Sequence, residues 1–215
     1  MQILFKYTKW YKFADYFYMT KAERTRQYII EKAAVLFNTK GYADTSLNDI
    51  VSITGLTRGA IYGNFTNKDE LSIEVFSYHF NLLRRAVGKA MDQESGAVEK
   101  LKAMTVFYRQ HYAVMAARGG CAILNAATEA DDNFPLLRTK VRASIKSWQR
   151  ALVKILEDGK LASQIQPKLD SVRFSSLLIA MIEGGIMLAK IQKEEASLVL
   201  VLDKIDQLID QDARL

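Results

Sequence analysis

Residues 45–71 read Thr-Ser-Leu-Asn-Asp-Ile-Val-Ser-Ile-Thr-Gly-Leu-Thr-Arg-Gly-Ala-Ile-Tyr-Gly-Asn-Phe-Thr-Asn-Lys-Asp-Glu-Leu, and their order decides the fold. Thr45 or Ser46 is placed to cap a short helix, with Asp49 in its first turn facing the positive end of the dipole. Leu47, Ile50 and Val51 give that helix one apolar face. Gly55 adopts the left-handed conformation that stops a helix at no steric cost. Leu56 then plugs the core, and Thr57 caps a second short helix from Arg58 to about Asn64. Asn67 caps a third helix, with Glu70 at the capping-box position and Lys68 in the first turn.

Outward from this stretch the chain stays helical. Upstream, Thr20-Lys-Ala-Glu23 has the spacing of a capping box, and Ile29, Ile30, Ala33, Ala34, Leu36 and Phe37 form an apolar stripe ended by Gly41. Downstream, the spacing predicts helices over 68–91, 98–117, 123–130, 135–157, 170–193 and 196–212, the fourth of them stopping before Gly159. The composition agrees. Two prolines and 11 glycines in 215 residues are too few for a loop-rich sandwich or barrel. Hydrophobic content of 49% with 25% charged residues excludes wholesale disorder. One cysteine and two histidines exclude an intrachain disulfide and a thiolate-rich metal site, and no cofactor is called for. No Gly-rich phosphate loop or nucleophile–base pair suggests an enzyme. The longest apolar span, 174–189, is interrupted by Glu183 and two glycines, so no membrane crossing is expected.

Residues 1–19 stand apart, with eight aromatics broken by Lys6, Lys9, Lys12 and Asp15 and no signal-peptide pattern. Met19 directly precedes the Thr20 cap, so the expected domain order is an extension over 1–19, a small helical domain over 20–67 that holds the 45–71 stretch, and a larger helical domain over 68–215. Residues 1–18 are expected to precede the physiological start, the alternatives being a docking or DNA-touching arm and a neutral tail.

Two short helices joined by a turn of three or four residues containing Gly form the helix–turn–helix arrangement, whose second helix lies in the major groove. The alternative is a plain helical hairpin in a core. The residue chemistry favours DNA. Arg58 can fork onto guanine O6 and N7, and Thr57 can bond a phosphate or touch a thymine methyl. Gly59 and Ala60 let the backbone approach, and Tyr62 and Asn64 can donate to phosphate oxygens. Lys68 at a helix amino end suits a backbone phosphate. Thr45 completes the candidate DNA-facing set. The net charge of +6 permits such binding without localising it: residues 1–19 carry +2, residues 20–72 carry +1, and the rest +3.

The pattern Phe37-x-x-x-Gly41-Tyr42, Thr45-Ser46-x-x-Asp49-Ile50, Gly55-Leu56-Thr57-x-Gly59-x-Ile61-Tyr62-x-x-Phe65 and Asn67-Lys68-x-x-Leu71 resembles the TetR (tetracycline-repressor-like) family of bacterial transcription regulators. It departs at Gly63, where many members carry an aromatic or His. The resemblance implies an all-α fold, with an N-terminal three-helix helix–turn–helix DNA-binding domain and a C-terminal helical ligand-sensing and dimerisation domain. It implies a cytoplasmic homodimer that binds double-stranded operator DNA and responds to a small-molecule effector.

In the C-terminal part, the helix over 170–193 is apolar nearly all round, which requires cover on several sides. A two-fold partner provides it, because palindromic sites need two reading heads. The expected interface comprises Val141, Ile145, Phe174, Leu177, Leu178, Met181, Gly184, Gly185 and Leu188. Candidate effector contacts are Phe107, Tyr108, His111, Tyr112, Met115, Trp148 and Met181, against which stands ordinary core packing. Cys121 falls near a helix amino end beside Arg118, a setting that lowers a thiol pKa. That offers an alternative to ligand release, a redox- or electrophile-responsive thiol, against the simpler reading of a buried inert side chain.

Overall fold

The computed structural model describes residues 19–215, without the side chains of residues 131–133. The expectations for residues 1–18 lie outside the described residues. Among the described residues nine α-helices follow in order: α1 (Lys21–Lys40), α2 (Leu47–Thr54), α3 (Arg58–Tyr62), α4 (Lys68–Asp92), α5 (Ala97–Ala116), α6 (Ala122–Asn133), α7 (Pro135–Leu161), α8 (Ser171–Gln192) and α9 (Ala196–Leu208). A π-helical turn, Ile209–Ala213, closes the chain. Two compact units part inside α4, between Tyr78 and His79, rather than at its start. The first turns of α4 stay with the amino-terminal unit because their side chains are bonded into it.

In that unit the caps form as the sequence dictates. Thr20 and Glu23 exchange bonds at the start of α1, 3.2 and 2.6 Å long. Ser46, not Thr45, caps α2, in a reciprocal capping box with Asp49. Gly55 ends α2 at φ 69°, a conformation a side chain would strain. Ile29, Ile30, Ala33, Ala34 and Phe37 of α1 are buried, as are Tyr42, Ile50, Ile61, Phe65, Leu71 and Val75. The Phe37 and Tyr42 rings lie 5.4 Å apart. Each fully buried large apolar side chain here contributes about 2 kcal/mol.

The second unit is built on α8, which packs against α9 and α7, while α6 packs on α7. Its core includes Leu101, Met104, Leu137, Leu152, Leu156, Leu178, Ile182, Ile186, Leu202 and Ile205. Arg109 bonds Asp203 and Asp206 at 2.9 and 2.8 Å, and Lys102 bonds Asp210 at 2.7 Å, tying α5 to the carboxy-terminal segment. Gly159 does not stop α7, which runs on to Leu161. A Cβ there would lie 2.5 Å from the Ala97 Cβ and 2.6 Å from Ile165 Cγ1, so this glycine serves close approach. By length and composition α8 suffices to cross a bilayer, which the interrupted apolar span did not predict. Its packing against α7 and α9 covers one side of that apolar surface, and the other side stays exposed.

Candidate nucleic-acid interface and a buried polar centre

The amino end of α3 lies on the surface. Thr57, Arg58 and Gly59 are exposed, Ala60 and Asn64 are half-buried, and Tyr62 is 53% exposed. Thr57 Oγ1 accepts from the Ala60 amide at 3.1 Å, which fixes the hydroxyl while leaving its proton free to donate to a phosphate. Arg58 Nη2 donates to Asn48 Oδ1 at 2.5 Å. One edge of the guanidinium is thus held by α2, and its remaining donors are available for a base or phosphate. Asn64 Nδ2 donates back to the Ala60 carbonyl at 2.8 Å, so its amide closes the helix.

Two predicted contacts are corrected. Thr45 is fully buried, with its hydroxyl donating 2.5 Å to the Gly41 carbonyl, so it offers DNA no exposed atom. Lys68 Nζ donates to the carbonyls of Tyr42, Ala43 and Thr45 at 3.0, 2.9 and 3.1 Å. An ammonium has three protons, and all three are used inside the fold. Lys68 therefore pins the loop between α1 and α2, and a phosphate contact would require breaking those bonds.

Arg26 is a residue the sequence reading missed. Its guanidinium lies 4.1 Å from the Phe65 ring centroid and 2.7 Å from Glu70, and it also bonds the Asn64 carbonyl. It thereby fastens the exit of α3 to α1 and α4. Glu70 accepts from the Thr66 amide at 2.7 Å, and these bonds hold its carboxyl down at about 2. No signal in the sequence distinguished Arg26 from its exposed neighbours, because its partners lie 38–48 positions away.

In the second unit, Phe107, Tyr108 and Tyr112 are buried, while His111, Met115, Trp148 and Met181 are partly exposed. His111 stacks on Phe107 at 4.2 Å, and its Nδ1 lies 2.9 Å from the Phe107 carbonyl. A cleft of about 350 Å³ opens elsewhere, between Ala127, Ala130, Arg138, Val141, Arg142, Ile145 and Lys146, and none of the seven candidates lines it.

A buried polar pair, Cys121 and Glu183, lies in the same unit. Cys121 caps α6 and is 1% exposed, and its Sγ donates to Glu183 Oε1 at 3.0 Å. Burial and the neighbouring Glu183 push the thiol up, overriding the lowering effect of the Ile123 and Leu124 amides. The low-pKa alternative for this thiol therefore yields to the simpler reading of a buried side chain: the helix-end effect is present and is outweighed by desolvation. Glu183 itself is raised to about 7, because its carboxyl end is enclosed although the residue as a whole is partly exposed. Its Oε2 has no hydrogen-bond partner among the described residues. The Tyr108 phenol, fully enclosed, is raised by burial first and then by Cys121 and Glu183. The signal that could have revealed this centre is a lone acid in an otherwise apolar helix.

The expected interface residues divide. Phe174, Leu178, Gly185 and Val141 are buried within the protomer, which corrects their assignment to a partner surface. A Cβ on Gly185 would lie 3.0 Å from Leu198 Cδ1, so its small size serves α9. Leu177 and Leu188 are exposed, Ile145, Met181 and Gly184 are half-buried, and nothing lies within 4 Å of a Cβ built on Gly184. Val172, Met187 and Ile191, which the sequence reading did not choose, extend the same exposed apolar face.

A capped, outward-facing α3 set against α2 by a glycine turn defines a helix–turn–helix DNA-binding protein. Comparison with known proteins narrows the class. Residues 29–75 match the family model described as bacterial regulatory proteins, tetR family, and residues 97–205 match the tetracyclin repressor-like, C-terminal domain. A TetR transcriptional regulator from Chloroflexus aurantiacus is 34% identical, with a TM-score of 0.85, over 92% of this chain and all of that one. A TetR-family regulator from Cytophaga hutchinsonii is 33% identical, with a TM-score of 0.82, over 91% of this chain and 98% of the other. The uncharacterized HTH-type transcriptional regulator YxaF of Bacillus subtilis is 29% identical across 89% of this chain and 98% of its own length. The chain belongs to the TetR family, and it is a DNA-binding transcription regulator rather than an enzyme.

Proposed function

We propose that the protein is a cytoplasmic homodimeric repressor that binds a palindromic operator and is released from it by a small-molecule effector. The observation that carries this reading is the exposed amino end of α3, where Thr57 is fixed by its own cap and Arg58 is braced by Asn48. Such bracing lowers the entropy lost when the guanidinium meets a base edge. Two reading heads demand two copies, and the apolar face of Leu177, Gly184, Met187, Leu188 and Ile191 on α8 is the surface on which they pair. A relative over 80% of this chain, the HTH-type transcriptional repressor DhaR of Mycobacterium sp. strain GP1, is 22% identical and favours repression over activation. The effector acts through its different affinity for two dimer states, one of which fits adjacent half-sites. The enclosed, raised thiol of Cys121 favours this ligand mechanism over a reactive-thiol one.

Selection of bound sequences from a random oligonucleotide pool tests the reading. A two-fold symmetric consensus is expected. Uniform protection of all DNA at physiological salt would overturn it in favour of sequence-independent packaging.

A further inference from the structure

Two exposed side chains from different helices are joined on the surface of the helix–turn–helix. Asn48 stands in the first turn of α2, and Arg58 is the first residue of α3. Asn48 Oδ1 accepts from Arg58 Nη2 at 2.5 Å across ten positions. The Asn48 side chain makes no other hydrogen bond among the described residues. Its backbone is nonetheless firmly placed. Asp49, the next residue, accepts from the Ser46 amide at 2.8 Å and from Lys40 Nζ at 2.5 Å, so the start of α2 is tied to itself and to the end of α1. The charged donor makes the bond to Arg58 stronger than one between neutral groups. Neither the core nor the cap requires an amide at position 48, since the side chain is exposed and Ser46 is the cap.

Resting on the reading of α3 as the base-contacting helix, we propose that Asn48 is a specificity-determining residue that acts through Arg58, by choosing which pair of donors the guanidinium offers to a guanine. A guanidinium presents two forks, one made of Nε–H with an Nη2–H and one of Nη1–H with the other Nη2–H. Nη2 belongs to both forks, and each of its two protons to one. The Asn48 bond takes one of those protons, so one fork is removed and the other is left whole and held in orientation. A guanine edge of O6 and N7 needs one whole fork, which suits the braced side chain to that base. Without the brace both forks turn freely, and Arg58 can settle on a phosphate of any sequence, where charge suffices and no base is read. Ordering a long side chain at an interface costs about two- to tenfold in affinity, a loss that a side chain already held avoids. Asn48 is thus a positioning residue: it touches Arg58, and Arg58 touches the base.

The test is a double-mutant cycle on the full-length protein. The unaltered protein first selects sites from a random pool, and the base pair that Arg58 reads is the one whose preference Arg58→Ala loses. Affinities are then measured for that operator and for the operator changed at that base pair. Asn48→Ala is expected to lower the ratio of the two by about two- to tenfold. Affinity for unrelated DNA and the slope of log affinity against log salt should stay unchanged, because no charge is removed. In an Arg58→Ala background, Asn48→Ala is expected to change the ratio no further. Asn48→Asp keeps an acceptor of the same shape and is expected to keep the ratio, which a variant that merely disturbed the fold would not. An unchanged ratio in Asn48→Ala, an equal loss with and without Arg58, or a loss in Asn48→Asp as large as in Asn48→Ala overturns the proposal. So does an Arg58→Ala variant that loses preference at no base pair. Selection of no symmetric site by the unaltered protein would overturn the operator reading and this inference with it, whereas a symmetric site read equally well by Asn48→Ala overturns the inference alone.

Discussion

Arg58 and Lys68 carry like charges ten positions apart and have different surroundings, so their removal should have different consequences. Arg58 is exposed and braced at one edge by Asn48, and its other donors have no partner among the described residues. Arg58→Ala should cost about 1–3 kcal/mol of operator affinity and relax the preference at one base position, read by competition among operator variants. Lys68 has its three protons on the carbonyls of Tyr42, Ala43 and Thr45. Lys68→Ala should therefore lower unfolding stability by about 2 kcal/mol in urea titration. The slope of log affinity against log salt should stay unchanged; a slope reduced by about one would return Lys68 to the phosphates. Glu183 gives a third expectation at this scale. Its folded value of about 7 stands above the ordinary carboxylate value, so the native state holds its proton more tightly than the unfolded chain. The strain is absent below about pH 4.5, grows as pH rises through 7, and reaches about 3 kcal/mol above that. Glu183→Gln should gain on the parent in denaturation midpoint across that window, and a constant difference from pH 4.5 to 8 would refute the raised value.

The helices were legible from the sequence because caps and periodicity act locally. Thr20, Ser46, Thr57 and Asp170 each bond amides two or three positions on, so spacing alone located the starts of α1, α2, α3 and α8. The end of α7 was misread for the opposite reason. Gly159 looked like a stop, yet its small size is required by Ala97 and Ile165, and Ala97 is distant in the chain. Gly159→Ala would ordinarily gain about 1 kcal/mol of helix propensity. Here the added methyl meets atoms within 2.6 Å, so a net loss of about 1–3 kcal/mol is expected in guanidinium unfolding. Unchanged or increased stability would mean that Ile165 yields easily.

For the whole molecule, the relevant surface is the outer face of α8. Large apolar side chains such as Ile191, 76% exposed, and Leu177, 45% exposed, lie there around Gly184. Leu177→Arg combined with Leu188→Asp should convert a dimer into monomers in sedimentation equilibrium while leaving helicity intact, because neither side chain is buried in the protomer. Operator affinity should fall with it, since two linked half-site contacts become two independent ones. A variant that stays dimeric would place the pairing surface elsewhere.

By itself the sequence determined the all-helical class, the positions of the helices, and the helix–turn–helix with its exposed Thr57 and Arg58. Those features depend on residues within a few positions of one another, and the code for them is written consecutively. Only the tertiary structure decided that Lys68 and Thr45 turn inward, that Gly185 serves the protomer while Gly184 stays open, and that Cys121 meets Glu183 across 62 positions. A side chain's charge state and availability depend on what surrounds it, and its neighbours there come from parts of the chain that local spacing cannot bring together.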